Sequence, residues 1–257
     1  MSDNSSQCGS GLYYDSNVQI NFINSRIGND NIDGAIGYLS LQNTIVDGAI
    51  YCSSGTIALD RSLISPVGQY CLNATNTQIL FNQATIANNL TLTNCDVQMT
   101  NSILWHTDEP QIIITEGTVL EVDYSLLQNG LGSISNYESS VDSGPGLIQG
   151  DPLFVDPDNT NFQLTADSPC IDAGNPDVPH DSDCTVTDLG AYSFSQCPDP
   201  GDISGDGILN VIDIVMIVNH CIMDFTDECV CADVNGDCVP DILDIVTIIN
   251  LILGNTL

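Results

Sequence analysis

Three observations predict a mainly β chain that ends in a small helical module. A short phrase recurs about every 20 residues through the first half, the period range of repeat architectures. The pattern changes abruptly after a segment carrying two prolines and a glycine. Two acidic twelve-residue loops then follow, each leading into an aliphatic helix. The 257 residues allow one large domain, or one domain plus a small module.

The first element rests on six segments with the order polar, Ser or Thr, aliphatic: Asn24-Ser25-Arg26-Ile27, Asn43-Thr44-Ile45-Val46, Arg61-Ser62-Leu63-Ile64, Ala84-Thr85-Ile86-Ala87, Asn101-Ser102-Ile103-Leu104 and Tyr124-Ser125-Leu126-Leu127. Their Ser/Thr positions, 25, 44, 62, 85, 102 and 125, advance by steps of 17 to 23 residues. Short β-type runs broken by Asn, Asp and Gly at that period, without a helical rhythm, point to a solenoid whose coils cover one another's apolar faces. An antiparallel sandwich also gives many short strands, but it does not explain the repeated phrase. Tyr51-Cys52 and Tyr70-Cys71 recur one such step apart, which predicts equivalent places on successive coils. Strands lie about 4.8 Å apart, near the outer limit for a disulfide, so two stacked thiols are favoured over a Cys52–Cys71 bond.

These rungs, such as residues 93–105, resemble the right-handed parallel β-helix repeat family, the fold of the pectate-lyase-like superfamily. A second stretch carries the resemblance further. It runs through Asp151-Pro152-Leu153-Phe154-Val155-Asp156-Pro157, Phe162-Gln163-Leu164, Asp167-Ser168-Pro169-Cys170-Ile171-Asp172-Ala173-Gly174 and Asp188-Leu189-Gly190-Ala191-Tyr192, and looks like the closing segment of bacterial secreted β-helix proteins. That family has no single activity. The organisation expected is rungs over 1–150, a closing segment over 151–195, a linker over 196–201 and a module over 202–257. Asp172, Asp177, Asp181, Asp183 and Asp188 in the closing segment either hold a cation or cap turns.

In the module, residues 202–213 place oxygen side chains at positions 1, 3, 5, 9 and 12: Asp202, Ser204, Asp206, Asn210 and Asp213. Gly207 sits at 6 and the Ile208 carbonyl at 7. This is the spacing of a calcium loop, in which alternate side chains converge and position 12 returns from the following helix. A second copy supplies Asp233, Asn235, Asp237, the Val239 carbonyl, Asp241 and Asp244, giving two expected Ca2+ sites. Position 6 of the copy is Cys238, which must accept a strained backbone or open the turn and so weaken the second site.

No helix precedes the first loop, so each unit is a loop and one helix. With Asp at position 12, the paired units look like a type I dockerin module. The resemblance implies docking to a cohesin-type receptor through the helix surface just after each loop, here Val211 and Ile212, then Ile242 and Leu243. Many family members carry Lys or Arg later in the helix, whereas this chain has Asn219-His220 and Asn250-Leu251. The aliphatics spread around both helices beyond what so small a module can bury between them, so an external partner or the end of the solenoid covers them. Cys221, Cys229, Cys231 and Cys238 form a staple of open connectivity.

Composition bounds the partners. Two basic residues against 34 acidic ones give a net charge of −32, which excludes a phosphate backbone as partner and repels anionic membranes and polyuronates. Calcium is the natural counter-charge. No apolar run reaches the roughly 20 residues of a membrane span. Eleven cysteines point to an oxidising, extracellular or cell-surface location, with a leader not contained in this sequence.

Two functions compete. One is a non-catalytic β-helix, recognising glycans or adhering, attached through its dockerin-like module. The other is a β-helix polysaccharide lyase or glycoside hydrolase carried by that module. A lyase needs basic groups, and only Arg26, Arg61 and three His are present. A hydrolase needs two carboxylates at a set separation, which 34 acids leave unspecified, so no catalytic residue is assigned, Glu116, Glu121, Asp108 and Glu109 included. Arg61 reads as a surface partner of Asp60. Trp105 and His106, beside Asp108 and Glu109, are the first candidates for a sugar contact, against the plainer reading of a tryptophan covering the core.

Overall fold

The computed structural model describes residues 12–14, 18–28, 31–34, 37–66, 70–106, 112–197, 199–222 and 229–254. Its contacts divide the chain into two compact units, Met1–Asp177 with Thr187–Phe194, and Val178–Val186 with Ser195–Leu257.

The first unit is a parallel β-solenoid. Three sheets of seven strands run along it, and each coil contributes one strand to each sheet. Sheet A contains strands such as Ile50–Cys52 and Asn89–Thr93, sheet B strands such as Gly55–Asp60 and Thr77–Asn82, and sheet C two-residue strands such as Leu63–Ile64 and Ile103–Leu104. Side chains alternate across the strands, so in the central coils of sheet B every second residue is buried, as in the pattern along Thr77–Asn82. In-register pairing then stacks like on like: Ile32, Ile50, Leu72, Leu90 and Ile112 in sheet A, and Leu39, Ile57, Ile79, Val97 and Leu120 in sheet B. These columns form one continuous core.

The corners explain the repeated phrase. Six of the seven turns from sheet B to sheet C are each made by one non-glycine residue in the left-handed region, Asn24, Asn43, Arg61, Gln83, Asn101 or Tyr124, and the last contains Gly146 in that region. Asn tolerates that conformation better than most residues because its short side chain bonds locally, and the Asn43 amide donates to Asn24 Oδ1 at 3.1 Å. The next residue is small and hydroxylic for a reason. The Ser102 hydroxyl donates to the Thr100 carbonyl at 2.7 Å and accepts the Ala84 N–H at 3.0 Å, linking two coils. Ser62 does the same for Thr44, and Ser125 for Ser102.

Two details of the expected repeat are corrected. In the fourth phrase the place of the hydroxyl residue falls to Ala84, not Thr85, because Thr85 pairs with Leu63 and Ile103 inside sheet C. The left-handed residue there is Gln83, one place earlier than the repeated phrase implies, and the ladder follows it. The two Tyr-Cys pairs are likewise not equivalent. Tyr51 and Cys52 stand opposite Asn73 and Ala74, and a register shift after Tyr70 displaces Cys71 from that column. Cys52 and Cys71 are buried, separate thiols.

Residues 151–177 and 187–194 lie along the outside of sheet C instead of over an end. A hairpin of Phe154–Asp156 and Asn161–Leu164 joins Cys170 and Leu189 in covering Leu63, Ala87, Ile103 and Leu126. The strap is pinned by hydrogen bonds from its backbone: Gly190 N–H to the Asn101 carbonyl, Ala191 N–H to Thr85 Oγ1, and Asn175 N–H to Asn101 Oδ1. Both residues of the central sheet C strands are therefore apolar or small, one facing the core and one facing the strap.

Among its described residues the second unit contains two main helices. We label α1 the helix Val211–Met216, which continues as a wider π-type turn over Ile217–Ile222, and α2 the helix Ile242–Ile252. They meet over a small core of Ile217, Cys221, Cys229, Ala232, Ile245 and Ile248. Three disulfides tie the unit: Cys184–Cys238, Cys197–Cys231 and Cys221–Cys229. The four-cysteine staple expected from sequence is thus corrected. Only Cys221–Cys229 closes within that set, while Cys231 and Cys238 reach back to Cys197 and Cys184. Among the described residues no helix is long and apolar enough to cross a membrane.

Candidate functional site

The two loops are built on one scheme. In the first, Asp202 Oδ1 accepts the Gly205 N–H at 2.9 Å and Oδ2 the Gly207 N–H at 2.8 Å. In the second, Asp233 Oδ1 accepts the Gly236 N–H at 2.9 Å and Oδ2 the Cys238 N–H at 2.8 Å. Position 5 also repeats, Asp206 taking the Ile208 N–H and Asp237 the Val239 N–H. A carboxylate accepting two N–H groups wraps the chain into the tight turn that the spacing implies.

Positions 9 and 12 start the helices. Asn210 and Asp241 are N-caps, accepting from Ile212 and Leu243 N–H, while Asp213 and Asp244 complete the capping boxes by accepting the Asn210 and Asp241 N–H groups. Asp213 Oδ1 also takes the Ser204 N–H at 3.0 Å, and Asp244 Oδ1 the Asn235 N–H at 3.0 Å. Both position-12 carboxylates are fully buried. Burial pushes the Asp213 carboxyl up, but the N–H groups of Asn210 and Ser204 outweigh it and hold the group below the usual carboxylate range.

The donor chemistry suits a hard cation, because every side-chain donor in both loops is oxygen. In the structure each Asp and Asn of the two sets gives at least one oxygen to an N–H group of its loop or first helical turn, the Ser204 hydroxyl bonds Asp202 Oδ1 at 3.2 Å, and Asn210 Nδ2 donates to the Ile208 carbonyl at 2.7 Å. Among the described residues, one group of three His, Cys, Asp or Glu side chains brings a ligand atom each within 4.8 Å of the others: Cys184, Asp233 and Cys238. Its sulfurs are bonded to each other. Cys184 was missed by reasoning from sequence, although a cysteine standing where the other loop has glycine was the signal that position 6 had a further partner.

The helix faces separate cleanly. Ile217 and Cys221 of the first helical segment and Ile245 and Ile248 of α2 are buried, while Val211 and Ile212 are 65% and 55% exposed, and Ile242 and Leu243 62% and 54%. Val215, Val246, Ile249, Leu251 and Ile252 extend this exposed aliphatic surface.

The other sequence candidates are placed as follows. Trp105 is half-buried against the strap, edge-on to Phe154 at 5.6 Å and to Phe162 at 6.3 Å. The His106 backbone N–H donates to Gln128 Oε1 at 2.9 Å, and Asp108 and Glu109 lie outside the described residues. Asp188 is buried and accepts the Asp172 and Phe194 N–H groups, and Asp183 accepts those of Thr185 and Gln196, so both serve as turn caps. Arg26 bonds Asp47 through two nitrogens at 2.8 and 3.1 Å, and Arg61 meets Asp60 at 3.4 Å. Glu116 forms a left-handed corner, and Glu121 stands on sheet B. Compared with protein families, curated proteins and solved structures, the chain matches none.

Proposed function

We propose that the protein is an exported, calcium-binding attachment protein: a non-catalytic, right-handed β-helix of the pectate-lyase-like kind, joined to a dockerin-like module that docks on a cohesin-type surface partner. The carrying observation is the pair of loop–helix units, alike in the N–H bonds accepted by positions 1, 5, 9 and 12, each presenting an exposed aliphatic pair on the first turn of its helix. Asp202, Ser204, Asp206, the Ile208 carbonyl, Asn210 and Asp213 would hold one ion, and Asp233, Asn235, Asp237, the Val239 carbonyl, Asp241 and Asp244 the other. A bound cation neutralises carboxylates gathered in each loop and fixes the helix start that orients Val211, Ile212, Ile242 and Leu243.

Three disulfides in the second unit support an oxidising location. Each arginine has an aspartate beside it that offsets its charge, which supports the non-catalytic reading over a lyase. Glycan recognition by the solenoid would rest on Trp105 and His106, both partly exposed. The experiment is calorimetric titration of the chelator-stripped chain with Ca2+. Two binding events followed by calcium-dependent capture of a cohesin-type domain support the reading, and absence of binding heat removes it.

A further inference from the structure

We infer that the Cys184–Cys238 disulfide is a redox-sensitive latch on the second loop, holding in place a residue that the loop's backbone disfavours. The inference rests on the calcium reading of that loop.

The two loops share their hydrogen-bond scheme but differ at position 6. Gly207 has φ +77° and Cys238 φ +64°. Glycine adopts that region freely, whereas a residue with a β-carbon is disfavoured there. Cys238 must nevertheless stay, because its N–H is the donor to Asp233 Oδ2 that corresponds to the Gly207 bond to Asp202. The disulfide supplies the restraint. The bond fixes position 6 covalently, and Cys184 Sγ lies 3.3 Å from the Asp233 Oδ2 that the Cys238 N–H reaches.

The anchor is itself built. Asp181 N–H donates to the Thr185 carbonyl and Cys184 N–H to the Asp181 carbonyl, the His180 ring stands 3.0 Å from the Cys184 carbonyl, and Asp183 ties the segment to Gln196. Among the described residues the first loop has no such tether. Cys238 is exposed and Cys184 half-buried, so a dithiol reductant can attack the bond. Two electrons and two protons pass to the sulfurs, the S–S bond breaks into two thiols, and the reductant closes to its own disulfide. Released, Cys238 leaves the left-handed region, and the second loop loses cation affinity while the first keeps it.

The test isolates each loop in the full chain and titrates with Ca2+ alone. In an Asp202→Ala background, which leaves the second loop, adding Cys184→Ser weakens binding about tenfold, the size of the left-handed penalty. Adding Cys238→Gly as well restores it, since glycine needs no restraint. In an Asp233→Ala background, Cys184→Ser leaves the first loop's affinity unchanged, which also shows that the unit still folds. Equal affinity of the second loop with and without Cys184 overturns the latch while calcium binding stands. Absence of calcium binding by the oxidised parent chain overturns the calcium reading and the latch with it.

Discussion

Ser102 shows how one side chain holds two coils. It is fully buried, gives its proton to Thr100 and takes that of Ala84. Ser102→Ala leaves the Ala84 N–H buried without an acceptor, so a loss of about 1–3 kcal/mol is expected in chemical denaturation. The buried thiols act in the opposite sense, as inert filler. Burial pushes Cys71 well up and Cys170 to about 12 from an ordinary value of 9.0. A thiol whose folded pKa is raised stabilises the fold fully below pH 9, and that contribution is lost as pH climbs from 9 toward 12. Alkylation of the native chain at about pH 8, mapped by mass, is expected to leave Cys71 and Cys170 unmodified, with both labelling after unfolding.

The two helices are short, and their stability lies in their caps and in one buried face each. Their outer faces are free to change. Val211→Asp with Ile212→Asp, or Ile242→Asp with Leu243→Asp, alters exposed positions, so unfolding stability in the presence of Ca2+ is expected to stay within about 0.5 kcal/mol per substitution. Binding to the cohesin-type partner is expected to fall more than a hundredfold for a pair central to the interface. A large drop in melting temperature would place these side chains in an intramolecular contact instead. The sheet C strands give the complementary case. With two residues each, they could not stand alone, and the strap residues Phe154, Phe162 and Leu189 supply their second face.

The solenoid as a whole behaves as a stack of nearest-neighbour units. Its coils carry no counterpart of the cross-linked second unit among the described residues, and the columns headed by Ile32 and Leu39 are made of aliphatics alone. Removing residues 44–61 joins Asn43 to Ser62 at equivalent corners, because Ile45 and Val46 pair with Leu63 and Ile64. The shortened chain is expected to fold with an unchanged β-type circular dichroism shape and a lower melting temperature. Removing only half of the same coil breaks the columns and is expected to abolish folding.

Reading the sequence alone was enough for the solenoid, because a coil can bury its apolar face only on the next coil, and that requirement writes itself as a period. The polar corner residues, most often Asn, and the hydroxyl that follows them are local necessities, so they too were visible. The loop spacing, the strained cysteine at position 6 and the aliphatic pairs were legible for the same reason. Other features depended on residues far apart in the chain. Only the folded chain decided that Ala84 and not Thr85 follows a corner, that the strap covers a flank, that Trp105 packs edge-on against two phenylalanines, and that Cys238 pairs with the distant Cys184. Spacing dictates what each residue must do for its neighbours in sequence, whereas distant partners are chosen by which surfaces remain uncovered once the coils have stacked.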